Sequence, residues 1–126
     1  MKRDLDLLRD ILIRIEDTDL SENCLSSSDF SDLGAPDFSP YDVSQHIMLL
    51  ADNGYIEISA IKSIGMKSPK YQIKRITSAG YDYLDSVRDA GVWSEVKRKL
   101  SSAGASFTLD IVKSVATAII QNRLGV

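Results

Sequence analysis

The chain is poor in the residues on which most protein chemistry depends. Cys24 is the only cysteine, which excludes an internal disulfide and a thiolate cluster for zinc. His46 is the only histidine. A Cys–His dyad would also need a third orienting group and an anion-stabilising site, and no motif supplies either. Glycines are scattered, with Gly65 alone in its loop, so no glycine-rich loop can cradle a phosphate, and no metal-ligand spacing occurs. The expectation is a non-enzymatic protein with no catalytic residue, no cofactor, no metal and no implied small molecule. No apolar run approaches the ~18 to 20 residues of a membrane span. The opening MKRDLDLLRDIL sets acids among its leucines and does not read as a secretory signal, so a soluble, cytoplasmic protein is expected.

The sharpest absence is of positive charge over a long stretch. Between Arg14 and Lys62 there is no lysine or arginine, while Glu16, Asp17, Asp19, Glu22, Asp29, Asp32, Asp37, Asp42, Asp52 and Glu57 all lie there. From Lys62 to Arg75 the pattern inverts, with Lys62, Lys67, Lys70, Lys74 and Arg75 and no acid. A net charge of -3 therefore hides one negative and one positive region.

What is present reads as ordinary globular material. At 126 residues, 44% hydrophobic and 26% charged, the chain can bury one moderate core. Leu5, Leu8, Ile11, Leu12 and Ile15 recur at helical spacing, predicting a first helix over 3–16, with Asp10 and Arg14 as an i,i+4 pair. Residues 17–39 are acidic and serine-rich with apolar residues too sparse to set a period. A short helix around Ser28 to Leu33, or a short strand and loop, are both open there. Ser39 and Pro40 predict a helix start. That helix runs to Asn53-Gly54, with Val43, Ile47 and Leu50 inward, His46 beside them as a packed, hydrogen-bonded histidine, and Tyr41, Gln45, Met48 and Asp52 outward. Tyr55 to Ile61 and Tyr71 to Ile76 read as two strands of a hairpin with a long basic tip. Thr77 then caps a helix over Ser78 to Asp89 that is expected to bury Tyr81, Leu84 and Val87. Trp93, Val96 and Leu100 mark a further helix, with Lys97, Arg98 and Lys99 on its polar side, broken at SSAGAS. Thr108 caps the last helix, whose apolar residues cover so much of its circumference that burial on most sides is expected.

The run LLADNGYI, a hairpin, then ITSAGYDYL resembles the end of a helix-turn-helix and its wing in bacterial winged-helix regulators. Nearly the whole chain is also similar to a family of short bacterial and phage proteins of unknown function. The similarity lies in the opening MKRDLDLLRDIL, in His-x-x-Leu-Leu-x-x-x-Gly at His46 to Gly54, in Thr-x-x-Gly-x-x-x-Leu at Thr77 to Leu84, and in Arg88, Asp89 and Trp93. The resemblance implies a mainly α fold with a small β-hairpin (α+β): a winged-helix core over 1–90, with its wing at about 55–76, and a C-terminal helical extension over 91–126 in the same compact unit. It implies no activity and no ligand.

Three surfaces follow. Lys62, Lys67, Lys70, Lys74 and Arg75 form a candidate footprint on a nucleic-acid backbone; the same lysines would equally protect an exposed edge strand from pairing. The outward helix face, Tyr41, Gln45, Met48 and Asp52, carries no cation and makes a poor major-groove reader, but can serve a protein partner. Ile111, Val115, Ile119 and Ile120 on the last helix are the candidate interface for a homo-oligomer, expected to be a dimer, or another protein.

Overall fold

In a computed structural model, residues 1–34, 36–61, 65, 70–104 and 107–126 are described. Their architecture is α+β, as expected: six α-helices and one antiparallel sheet of three strands. The chain divides into two compact units, Met1–Tyr81 and Asp82–Val126.

In the first unit, α1 spans Leu5–Asp17, with the Asp4 carboxylate accepting from the Leu7 N–H and the stripe Leu7, Leu8, Ile11, Leu12 and Ile15 buried. The stretch left open by its composition turns out to hold three short pieces. They are β1 (Leu25–Ser26), a 3-10 turn (Ser27–Phe30) and a single turn, α2 (Ser31–Gly34). Each rests on contacts distant in sequence. Leu25 pairs with Ile73 in the sheet, and the buried Ser27 hydroxyl accepts from the Tyr71 N–H at 3.0 Å. The Arg14 guanidinium donates to both oxygens of Asp32, at 2.6 and 2.8 Å, and to the Asp29 carbonyl at 3.1 Å, and lies 6.0 Å from the centre of the Phe30 ring. Arg14 thus turns its hydrogen bonds to Asp32 rather than to Asp10, the partner expected from helical spacing.

α3 (Pro40–Asp52) begins with the Ser39 hydroxyl accepting from the Asp42 N–H. It ends in a paired C-terminal lock: Gly54, at φ +74°, donates to the Ala51 carbonyl and Tyr55 donates to the Leu50 carbonyl. β2 (Ile56–Ile61) and β3 (Lys70–Ile76) form the hairpin, and the sheet order is β1-β3-β2. Register passes from Glu57 opposite Arg75 to Ile58 opposite Ile73, which leaves Lys74 as an extra, bulged residue. The bulge explains how Ile73 and Ile76, three apart, are both buried while Lys74 and Arg75 both face solvent. Two of the five predicted hairpin cations, Lys62 and Lys67, lie outside the described residues.

α4 covers Ser78–Val87. Its buried aromatic is Tyr83, at 0% exposure, whereas Tyr81, expected inside, is 44% exposed. Gly80 shares the buried face, and counting it rotates the centre of that face toward Tyr83.

In the second unit, α5 (Ala90–Ala103) starts at Asp89, whose carboxylate accepts from the Val92 N–H, and buries Val92, Trp93, Val96 and Leu100. It continues through Ser101 and Ser102, where a break was expected, and stops at Gly104 with φ +67°. α6 (Leu109–Leu124) packs on α5, and Arg123 near its end reaches Glu95 at 3.2 Å and Asp89 at 3.8 Å. The expectation that α6 is buried on most sides is corrected. Only the stripe Leu109, Val112, Ala116 and Ile119 is buried, and Ile111 stands 44% exposed.

Candidate functional site

The outward surface of α3 and the hairpin beside it in sequence are each fixed by scaffold contacts. Thr77 is the hub. Its N–H donates to the Tyr55 carbonyl at 2.9 Å, its hydroxyl donates to the Gly54 carbonyl, and the same oxygen accepts from the Gly80 N–H at 3.1 Å. Gly80 sits so close that an added Cβ would lie 2.0 Å from the Tyr55 carbonyl oxygen. At the other side of α3, His46 is fully buried. Its Nε2 accepts from the Asp4 N–H at 2.9 Å, which requires the proton on Nδ1, where it is donated to the Asp42 carbonyl at 2.8 Å. Phe38 meets the imidazole edge-on at 5.5 Å. Both ring nitrogens are thus occupied, and His46 ties the start of α1 to α3 as a packed side chain.

With α3 held in this way, Tyr41 is 51% exposed, Asp52 is exposed, and Gln45 and Met48 are half-buried between them. Neither Asp42 nor Asp52 is in an ion pair among the described residues. The two acids differ in their relation to the helix. Asp42, in the first turn, complements the positive end of the helix dipole; Asp52, in the last turn, opposes it, and no basic residue accompanies it there.

On the hairpin, Lys70 and Lys74 are exposed. Arg75 is not an unopposed cation: Nη2 donates to Glu57 Oε1 at 2.7 Å across the strand pair. That bond, followed by the charges of Arg75 and Lys74, holds the Glu57 carboxyl below the usual carboxylate range, and Arg75 is raised in return. The run from Lys62 to Arg75 lacks an acid in sequence, but strand pairing brings Glu57 against it. Lys97, Arg98 and Lys99 are exposed on α5, with Arg98 3.6 Å from Glu95.

A shallow depression of about 230 Å³ between α1 and α2 is lined by Asp4, Asp6, Asp10 and Asp37 around Leu7, Leu33 and Phe38. No group of three or more His, Cys, Asp or Glu among the described residues is arranged to hold a metal ion. No helix among them is long and apolar enough to cross a membrane. Of the α6 residues singled out by pattern, Ile111 is exposed, Val115 and Ile120 are half-buried, and Ile119 is buried.

The fold and these surfaces define a small α+β protein in which a hairpin follows a capped helix with an acidic, aromatic outer face. Residues 2–106 match the model of the family described as "Hypothetical protein (DUF2513)", and the chain belongs to that family. An uncharacterized protein of Haemophilus influenzae (strain KW20/Rd) is 32% identical over 125 residues, covering 99% of this chain and 100% of that protein. No solved structure matches the chain.

Proposed function

We propose that this chain is a non-enzymatic, cytoplasmic winged-helix protein that serves as a protein-interaction module through the outward face of α3. The order α1-β1-α2-α3-β2-β3, with the sheet order β1-β3-β2, supports the winged-helix reading, in which α3 would correspond to the recognition helix. One observation carries the function. Tyr41, 51% exposed, is followed along the same stripe by Gln45, Met48 and Asp52, within a span that holds no lysine or arginine from Ile15 to Ile61. Phosphates flanking a major groove would be repelled by Asp42 and Asp52, whereas an aromatic with polar and thioether neighbours is the composition of protein-binding surfaces. The test is a photo-crosslinking amino acid in place of Tyr41 in cells. A discrete protein adduct at that position, absent when the crosslinker replaces exposed Gln72, is expected; adducts to nucleic acid alone would overturn the reading.

The exposed Lys70 and Lys74 favour a second reading, in which the hairpin lies along a nucleic-acid backbone. Duplex binding measured by anisotropy would then weaken with salt, at a log-log slope near -0.9 per phosphate, and Lys70→Gln with Lys74→Gln would flatten that slope. Ile111, at 44% exposure, favours pairing of α6 with a second copy of the chain, which light scattering of Ile111→Glu checks.

A further inference from the structure

We propose that the partner of the α3 face is a helical segment of another protein that places two basic side chains, arginine best, against the two ends of that face. This rests on the protein-interaction reading above and names the chemistry of the partner.

Asp52 stands in the last turn of α3. An acid in the last turn of a helix weakens that helix, because the exposed carbonyls already concentrate negative charge there. Among the described residues Asp52 has no ion-pair or side-chain hydrogen-bond partner that would offset this. A residue that folding disfavours, standing exposed beside a half-buried methionine, is the kind of local inconsistency that marks a working surface. At the other end of the stripe Tyr41 is 51% exposed. A guanidinium can stack on such a ring. The intervening residues, Gln45 and Met48, carry no charge.

Spacing then restricts the occupant. Tyr41 and Asp52 are eleven residues apart on one helix, about 16 Å along its axis. One arginine cannot serve both ends. Two basic residues eleven apart on a partner helix lie on one face at the same separation, since eleven residues make about three full turns. An apolar residue between them would cover Met48. Two positions five apart on a strand reach a similar distance but face opposite sides, so an extended segment fits less well. The span from Ile15 to Ile61, which contains α3, holds no lysine or arginine.

The experiment uses the full chain, labelled with 15N, and three synthetic amphipathic helical peptides. The first has arginines eleven apart with leucine between them, the second has glutamine in place of each arginine, and the third has glutamate. The arginine peptide is expected to shift the amides of Tyr41, Gln45, Met48 and Asp52, and to bind more weakly as salt rises. Asp52→Asn should bind it about three- to fivefold more weakly, the effect of losing one exposed charge pair, without lowering the melting temperature. If the glutamine peptide binds the same amides as tightly, the α3 face remains an interaction surface but the basic partner is refuted. If no peptide shifts α3, or the arginine peptide shifts only the acidic stretch 16–32, the interaction reading falls with it.

Discussion

Gly80→Ala tests the central joint of the first unit. On an exposed helix surface this change stabilises by about 1 kcal/mol, because alanine is the better helix former. Here the new Cβ would sit 2.0 Å from the Tyr55 carbonyl oxygen and 2.8 Å from Ile76 Cγ2, where real Cβ contacts do not fall below 3.0 Å. The obstacle is backbone, so a side-chain rotation cannot relieve it. Either α4 moves away from Tyr55 or the Gly54–Tyr55 segment moves from α4. Both movements pull on the Thr77 N–H bond to Tyr55 and on the Thr77 hydroxyl bond to Gly54. Overpacking costs about 1–3 kcal/mol, and two weakened hydrogen bonds cost about 1 kcal/mol each. Set against the propensity gain, the net destabilisation is about 3 kcal/mol, equivalent to a melting temperature lower by roughly 10 °C. Urea denaturation followed by circular dichroism measures it, with the exposed Ser78→Ala as the control for helix propensity. A Gly80→Ala midpoint equal to or above that of the unaltered chain would refute the close-approach argument.

Other joints give independent expectations. His46→Ala removes a fully buried ring and strands the Asp4 N–H, so a loss of about 3–4 kcal/mol is expected in the same denaturation assay. A 15N spectrum of the imidazole should show the Nδ1–H form. Arg14 holds the Asp32 carboxyl below its usual range, so this pair adds stability above the ordinary carboxylate pKa of ~3.9 and loses it as pH falls further. Asp32→Asn should therefore be less stable than the unaltered chain near neutrality, and the two melting temperatures should converge in acid. Gly54→Ala forces a side chain into φ +74° and should cost about 1 kcal/mol, read as a lower urea midpoint.

The parts of the fold legible in the sequence are those set by neighbours in the chain. Ser39 and Thr108 cap helices by bonds to residues three positions on, and Asn53-Gly54 ends α3 by bonds reaching back no more than five. The parts missed depend on residues far apart. Arg14 finds Asp32 only once the short turn Ser31–Gly34 is folded against α1, and Glu57 meets Arg75 only through strand pairing. The Tyr81 assignment failed for a different reason. Gly80 lies near the middle of the buried face of α4, and a glycine contributes nothing to a hydrophobic pattern, so the apparent centre shifted by one side chain. On α6 the pattern overstated burial, because apolar residues cover more of that helix than its neighbours do.

Eight of the residues that carry the family resemblance have folding roles. His46 bridges two backbone groups, Leu50 is fully buried, and Gly54 takes the left-handed cap. Thr77 and Gly80 form the joint to Tyr55, Leu84 is buried, Asp89 caps α5, and Trp93 lies in its core stripe. Such a motif identifies a scaffold, and it would look the same whatever the protein does. The search for function is therefore narrowed to side chains that folding does not require. On the α3 stripe these are Tyr41, 51% exposed, and Asp52, placed against the helix dipole. Reversing Asp52 to lysine separates the two roles: the fold should gain about 0.3–1 kcal/mol from the corrected dipole, while a surface built to receive a basic segment should lose it. A variant more stable in urea but unchanged in its binding would leave Asp52 as an uncorrected surface residue and remove the main support for that surface.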